Sequence, residues 1–261
     1  MSENHDREPG EAASSASPPG VEDAWDDARG GRRLSRRNVV TLGAIVAIPL
    51  LFYVVSVAVN LSIPCGPSFA TGLVESSLVQ IATGSGPDNL TPTGTGFAVS
   101  NEGHILTSRQ VVIDPATGLP QPRILVRLPS GLVVGARLVG IDKSLDLAMV
   151  KVEGVDEPSP LPWGDLSSSV VGQPLIAAGF QPAGNGRFAA SPTYTYGAIT
   201  GPASLQGAGY VEHGAAISPM MRGGPLVTMC GQVVGVSTEA GSPAVASSVA
   251  EAKVREWMSQ P

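Results

Sequence analysis

The sequence predicts an all-β domain of the sandwich or barrel type, set behind one transmembrane helix and a disordered N-terminal tail. Short apolar runs recur about every ten residues beyond residue 75, each closed by Gly, Pro, Asn or Asp. That rhythm belongs to strands joined by turns, not to alternating strands and helices. Gly and Pro supply 32 and 23 of the 261 residues, well above their usual combined share of about an eighth. Before this domain, no charged residue occurs between Asn38 and Val74.

The tail comes first. Residues 1–37 hold eight acidic side chains, Pro18, Pro19 and a single aromatic residue, Trp25. No helical or strand period runs through them, so they cannot bury enough surface to offset their ordering entropy. Five of the tail's six basic residues are gathered between Arg29 and Arg37.

The span follows directly. Val39 to Val59 is almost wholly apolar, and a helix of that length would rise roughly 31 Å, the thickness of a bilayer core. Pro49 lies within it, as membrane helices tolerate. A transmembrane helix is therefore expected over 38–61, with a stalk over 62–74. Arginines before the span and their absence just after it place the N-terminus in the cytoplasm and the C-terminal bulk outside. A second reading stays open: Ser35-Arg36-Arg37-Asn38-Val39-Val40 has the form of a twin-arginine signal, with Ser56-Val57-Ala58 as a cleavage site.

The strand candidates then run Leu78–Ile81, Gly96–Val99, Ile105–Thr107, Ile124–Leu128, Ala136–Ile141, Leu147–Val152, Leu175–Ala178, Ala198–Thr200, Gly224–Thr228 and Gln232–Val236. Asn101-Glu102-Gly103 and Pro129-Ser130-Gly131 are turns between them. Pro158 to Pro162 interrupts the β pattern and joins two halves. Only Ser248 to Met258 has a helical period, with Val249, Val254, Trp257 and Met258 on one face.

Composition excludes several functions. A formal charge of −6 opposes nucleic-acid binding, which needs a basic field. No His, Cys or carboxylate cluster has metal-ligand spacing, and no cofactor loop is complete: Gly94-Thr95-Gly96 lacks the third glycine and the following helix. Asn60-Leu61-Ser62 and Asn89-Leu90-Thr91 match the glycosylation acceptor pattern, which matters only in a eukaryotic secretory pathway. The two cysteines, Cys65 and Cys230, both face an oxidising compartment in the expected topology. With no third thiol to compete, they are expected to pair.

Four motifs in order carry a resemblance. Gly94-Thr95-Gly96-Phe97-Ala98-Val99-Ser100 with Asn101 to Thr107 resembles the opening hairpin of HtrA/DegP-type trypsin-like serine proteases. Gly131 to Asp142 with Ser144 to Val152 is similar to the segment bearing that family's triad aspartate. Ala215-Ala216-Ile217-Ser218-Pro219 with Gly223-Gly224-Pro225-Leu226-Val227 resembles the turn of its nucleophile, and Gly231 to Val236 the next strand. The resemblance implies a chymotrypsin-like pair of six-stranded β-barrels over 75–157 and 158–261. The second would be closed by the C-terminal helix, with no PDZ domain after it.

The catalytic positions depart from that pattern. The family's base falls at Gln110, in Thr107-Ser108-Arg109-Gln110-Val111-Val112, and a neutral amide cannot exchange a proton near pH 7. Its nucleophile falls at Arg222, whose guanidinium offers no lone pair. Its oxyanion-hole glycine falls at Met220. Of the triad, only Asp146 remains. Among possible substitutes, His5 lies in the tail, His104 fills an often aromatic hairpin position, His213 reads as a pocket-wall histidine, and Ser218 sits at a structural Asn position. The resemblance thus implies a membrane-anchored pseudoprotease that binds a peptide or protein partner without cleaving it. An endopeptidase with a rearranged site and a structural subunit of an envelope complex are the alternatives. In the degenerate site Arg222 is expected either to fold into the cleft and neutralise Asp146, directly or through Gln110, or to point to solvent together with Met220 and leave the cleft open.

Overall fold

The computed structural model describes residues 48–51, 53, 65–84, 90–155, 158–166, 170–201, 209–238 and 243–260. The chain separates into two compact units, residues 1–63 and 64–261. Most of the first unit, including the expected tail and most of the expected span, lies outside the described residues. Residues 48–51 and 53 are helical. Among the described residues no helix is long and apolar enough to cross a membrane.

In the second unit helix α1 (Pro67–Ser77) leads into β1 (Leu78–Gly84), β2 (Thr91–Ala98) and β3 (His104–Ser108). A short helix, α2 (Arg109–Val112), follows, then β4 (Arg123–Arg127), β5 (Val133–Asp142) and β6 (Leu147–Val152). All pairings are antiparallel, and the strands close in the order β1-β2-β3-β6-β5-β4. The second set is β7 (Pro174–Gly179), β8 (Thr193–Gly201), β9 (Tyr210–His213), β10 (Pro225–Thr228), β11 (Val233–Val236) and β12 (Ala244–Ala246). It closes as β10-β11-β12-β9-β8-β7, and helix α3 (Ser247–Met258) ends the fold. The expected double six-stranded barrel with a terminal helix is the observed architecture.

The near-continuous apolar runs have a simple cause, since many strands are buried on both faces. Alternate residues of β3 and β6 point into the first barrel (Ile105, Ala148, Val150) or out into the seam between barrels (Leu106, Leu147, Met149). In β7, Leu175 and Ala177 fill the second barrel while Ile176 and Ala178 join the same seam. There are thus three cores, one inside each barrel and one between them.

Both helices outside the barrels serve the seam. In α1, Ala70 and Val74 pack into it, so part of the segment read as stalk is helix on the domain. Cys65 is bonded to Cys230, 165 residues away. Closing so long a loop contributes on the order of 5 kcal/mol in the chain-entropy picture. In α3, Ala250, Val254 and Trp257 pack into the same core. The Trp257 indole lies against Gly140, where even a methyl group would overlap the ring. Lys253 Nζ reaches Asp142 at 3.1 Å, which fixes the helix to the end of β5.

A second tie crosses the seam at Thr95, which is fully buried. Its Oγ1 donates to the Met220 carbonyl at 2.7 Å and accepts the Phe180 N–H at 3.0 Å. Its own N–H donates to the Arg222 carbonyl at 2.9 Å.

Two expectations follow. Thr95→Val keeps the shape but strands two buried polar groups, so urea unfolding should show a loss of about 2–4 kcal/mol. At Asp142 burial opposes ionisation, but hydrogen bonds from Ser144, Leu145 and Lys253 outweigh it and bring the pKa from 3.8 to about 2. Because the folded pKa is the lower one, this stability is present above about pH 4 and lost as pH falls toward 2. Asp142→Asn should flatten that part of the stability–pH curve.

Candidate functional site

The site forms where β3 ends. Ser108 pairs with Leu147 across β3 and β6, which brings the residues after Ser108 beside Asp146. Asp146 adopts φ 54, in the left-handed region, where Asp is among the few side chains tolerated. Its carbonyl accepts the Arg109 N–H at 2.9 Å. Ser108 caps α2: its Oγ accepts the Gln110 N–H at 3.2 Å and donates to Asp146 Oδ2 at 2.6 Å.

Arg222 arrives from the other barrel. It follows the 3-10 turn Pro219–Met221, in which the Met221 N–H donates to Ser218 O at 2.9 Å. The next residue, Gly223, has φ +82, and a Cβ there would collide with Thr107 Oγ1 and the Thr95 carbonyl. Only glycine fits. The Gly223 N–H donates to Ser237 O at 2.6 Å, and Ser237 Oγ donates to the Met221 carbonyl at 2.8 Å. The base of the Arg222 side chain is therefore held on both sides.

The three residues expected at the triad positions, Gln110, Asp146 and Arg222, meet. Arg222 Nη1 donates to Gln110 Oε1 at 3.3 Å, and Gln110 Nε2 donates to Asp146 Oδ2 at 3.3 Å. The amide spans the two charges, accepting at one end and donating at the other. The hydrogen-bonded link between Arg222 and Asp146 thus runs through Gln110.

The cation that answers Asp146 is instead Arg109, whose Nε lies 3.2 Å from Oδ1. That contact falls outside hydrogen-bond geometry, so the attraction is Coulombic. Both side chains are mostly buried, at 23% and 17% exposure. Sequence reading missed Arg109. The one available signal was its place beside Gln110 in a segment close to the aspartate.

The backbone around Arg222 is turned toward partners within its own turn. An oxyanion hole needs N–H groups aimed at the developing charge. Of the two N–H groups that would form one, those of Met220 and Arg222, the Arg222 N–H faces Pro219 O at 3.5 Å. The Met220 carbonyl is held by Thr95.

The possible substitutes lie apart from this network. His104 is buried, and Ser100 Oγ sits 2.7 Å from its Nδ1. Burial, then Lys151, lowers its pKa, so the ring is neutral near pH 7. It stands at the opposite end of β3 from Ser108. Burial also lowers the pKa of His213. Neither His213 ring nitrogen is hydrogen-bonded to Ser218 Oγ among the described residues, so the two are not coupled as base and nucleophile. Among the described residues no group of His, Cys, Asp and Glu is placed to hold a metal ion.

Two antiparallel six-stranded barrels with a polar cluster at their junction define the architecture of trypsin-like peptidases. Comparison with known families agrees, for the trypsin-like peptidase domain matches residues 94–236. The chain belongs to that family. A probable periplasmic DegP-like serine endoprotease of Hahella chejuensis is 35% identical over 158 residues, covering 59% of this chain and 31% of that protein. A protein of the same description from Chlamydia trachomatis is 33% identical over 150 residues, covering 56% and 28%. The matched region is about a third of these relatives' length. Among solved structures, the HtrA-type protease AlgW with a decapeptide superposes with a TM-score of 0.59 at 21% identity, covering 73% of this chain and 67% of that one. At that identity the likeness concerns the fold.

The charge arrangement separates the two arginines by experiment. Arg109→Ala leaves a mostly buried carboxylate without its cation and should cost about 1–3 kcal/mol in chemical denaturation. Arg222→Ala removes one long bond to a neutral amide and should change stability by no more than about 1 kcal/mol.

Proposed function

We propose that the chain is a membrane-anchored, extracytoplasmic pseudoprotease that binds a peptide or protein partner without cutting it. One observation carries this reading: Arg222 stands at the nucleophile position and bonds to Gln110 at the base position. Acyl transfer needs a nucleophile and a group that takes and returns its proton. A guanidinium supplies no electron pair, and a carboxamide is no base near neutral pH. The Arg222 N–H, which faces Pro219 O at 3.5 Å, weighs the same way, because a tetrahedral intermediate would find poor support there.

The binding half of the proposal rests on the barrels themselves. A trypsin-like cleft holds an extended chain through strand-edge hydrogen bonds, which survive loss of the nucleophile. The location rests on the apolar stretch over 38–61, the arginines preceding it, and the Cys65–Cys230 bond. Such a bond persists in an oxidising compartment. DegP-like relatives described as periplasmic point the same way.

The full chain in detergent should neither hydrolyse casein nor react with a fluorophosphonate probe. Turnover that disappears in Ser218→Ala or His213→Ala would overturn the proposal in favour of a rearranged endopeptidase.

A further inference from the structure

The described charges at the junction do not cancel. Asp146 contributes one negative charge, and Arg109 answers it at 3.2 Å. Arg222 remains. It forms no ion pair among the described residues, and its Nε is buried without a hydrogen-bond partner. Its one polar contact there, Gln110 Oε1 at 3.3 Å, is long and neutral. A guanidinium offers five N–H donors, so most of this one's capacity is unspent. A partly buried cation in that state has lost hydration without gaining a counter-charge.

The backbone that bears this side chain is also held in place. The Arg222 carbonyl accepts from the Thr95 N–H at 2.9 Å, the Gly223 N–H just beyond it is fixed to Ser237 at 2.6 Å, and Gln110 Oε1 steadies the guanidinium itself. A donor fixed before binding gives up less entropy when a ligand arrives.

We infer that Arg222 is the binding residue of a carboxylate receptor built on the former nucleophile position. This rests on the reading that the site holds a polypeptide without cleaving it. The receptor selects chains that present an acidic side chain or a free C-terminus there. A carboxylate matches the planar fork of a guanidinium with two parallel hydrogen bonds. A monoanion also suits the local balance, because one positive charge is left over and Asp146 would repel a dianion. Gln110 holds the guanidinium from the side of Asp146 and keeps that carboxylate from competing for it.

The test uses the full chain in detergent and four fluorescein-labelled hexapeptides read by anisotropy. Two have amidated ends and carry Glu or Gln at the fourth position. Two have only neutral side chains and end in a free acid or an amide. One of the two acidic peptides should bind about tenfold to a hundredfold more tightly than its neutral twin, the range expected for a charge-assisted hydrogen bond. Which pair shows the preference identifies the source of the carboxylate. Arg222→Gln should bring that ratio to about one, and Arg222→Lys, which keeps the charge but not the fork, should leave an intermediate ratio.

Binding indifferent to the carboxylate, or a preference untouched by Arg222→Gln, overturns the receptor and leaves the pseudoprotease reading standing. Peptide cleavage seen by mass spectrometry overturns that reading instead. If none of the four binds at millimolar concentration, the peptide-binding reading falls. The receptor is then judged by acetate alone: a shift of the Arg222 Nε–Hε resonance against chloride at equal ionic strength supports it, and no shift overturns it.

Discussion

The hydrogen bonds of Thr95 determine where everything else in the site can be. One buried side chain joins β2 of the first barrel to the turn before Arg222 and to Phe180 of the second barrel. The Thr95 N–H and the absent Cβ of Gly223 bring that turn against β2. With the barrels docked this way, the apolar seam between them is sealed by α1 and α3. The meeting of Arg222 with Gln110 is a consequence of this docking, since the two residues lie on different barrels.

Barrel architecture was legible because strands buried on both faces write themselves as apolar runs, and turns write themselves in Gly, Pro and Asn. What escaped was short or locally ambiguous. β9 (Tyr210–His213) includes Glu212 and His213, and β12 is three small or branched residues, Ala244 to Ala246. Neither run is long enough to show a period of two. Helix α1 escaped for another reason: it follows an uncharged, mostly apolar segment, opens on Pro67 and contains Gly72, so its pattern merged with the expected stalk. Its helicity comes from packing Ala70 and Val74 into the seam, a tertiary fact that sequence periodicity does not carry.

The site was legible in its residues and less so in its electrostatics. Motif order placed Gln110, Asp146 and Arg222 as neighbours, and they are hydrogen-bonded in a row. The expected link from Arg222 to Asp146 through Gln110 is present, but the expectation overlooked a nearer cation. Arg109 sits on α2, whose direction is set by the Ser108 cap, and a four-residue helix leaves no period to read. Once Arg109 takes the carboxylate, the arginine at the nucleophile position changes from a plug for a buried anion into a surplus cation.

Gln110 and Arg222 fit each other better than either would fit a serine or a histidine at the other position. With Gln110 present, the amide needs a donor facing its oxygen, and the Arg222 guanidinium supplies one. A serine at 222 has a much shorter side chain and would leave that acceptor to solvent. With a histidine at 110, Asp146 would still be served, but an imidazole that gained a proton would face a guanidinium of the same charge. The neutral amide removes that repulsion and accepts where a protonated ring could only donate. Positions 110 and 222 are therefore energetically coupled, as contacting residues in one hydrogen-bond network are. With Gln110 and Arg222 together, the junction is hydrogen-bonded without a histidine or a serine at these two positions. In exchange the cleft holds a fixed positive charge where a reactive hydroxyl would otherwise stand.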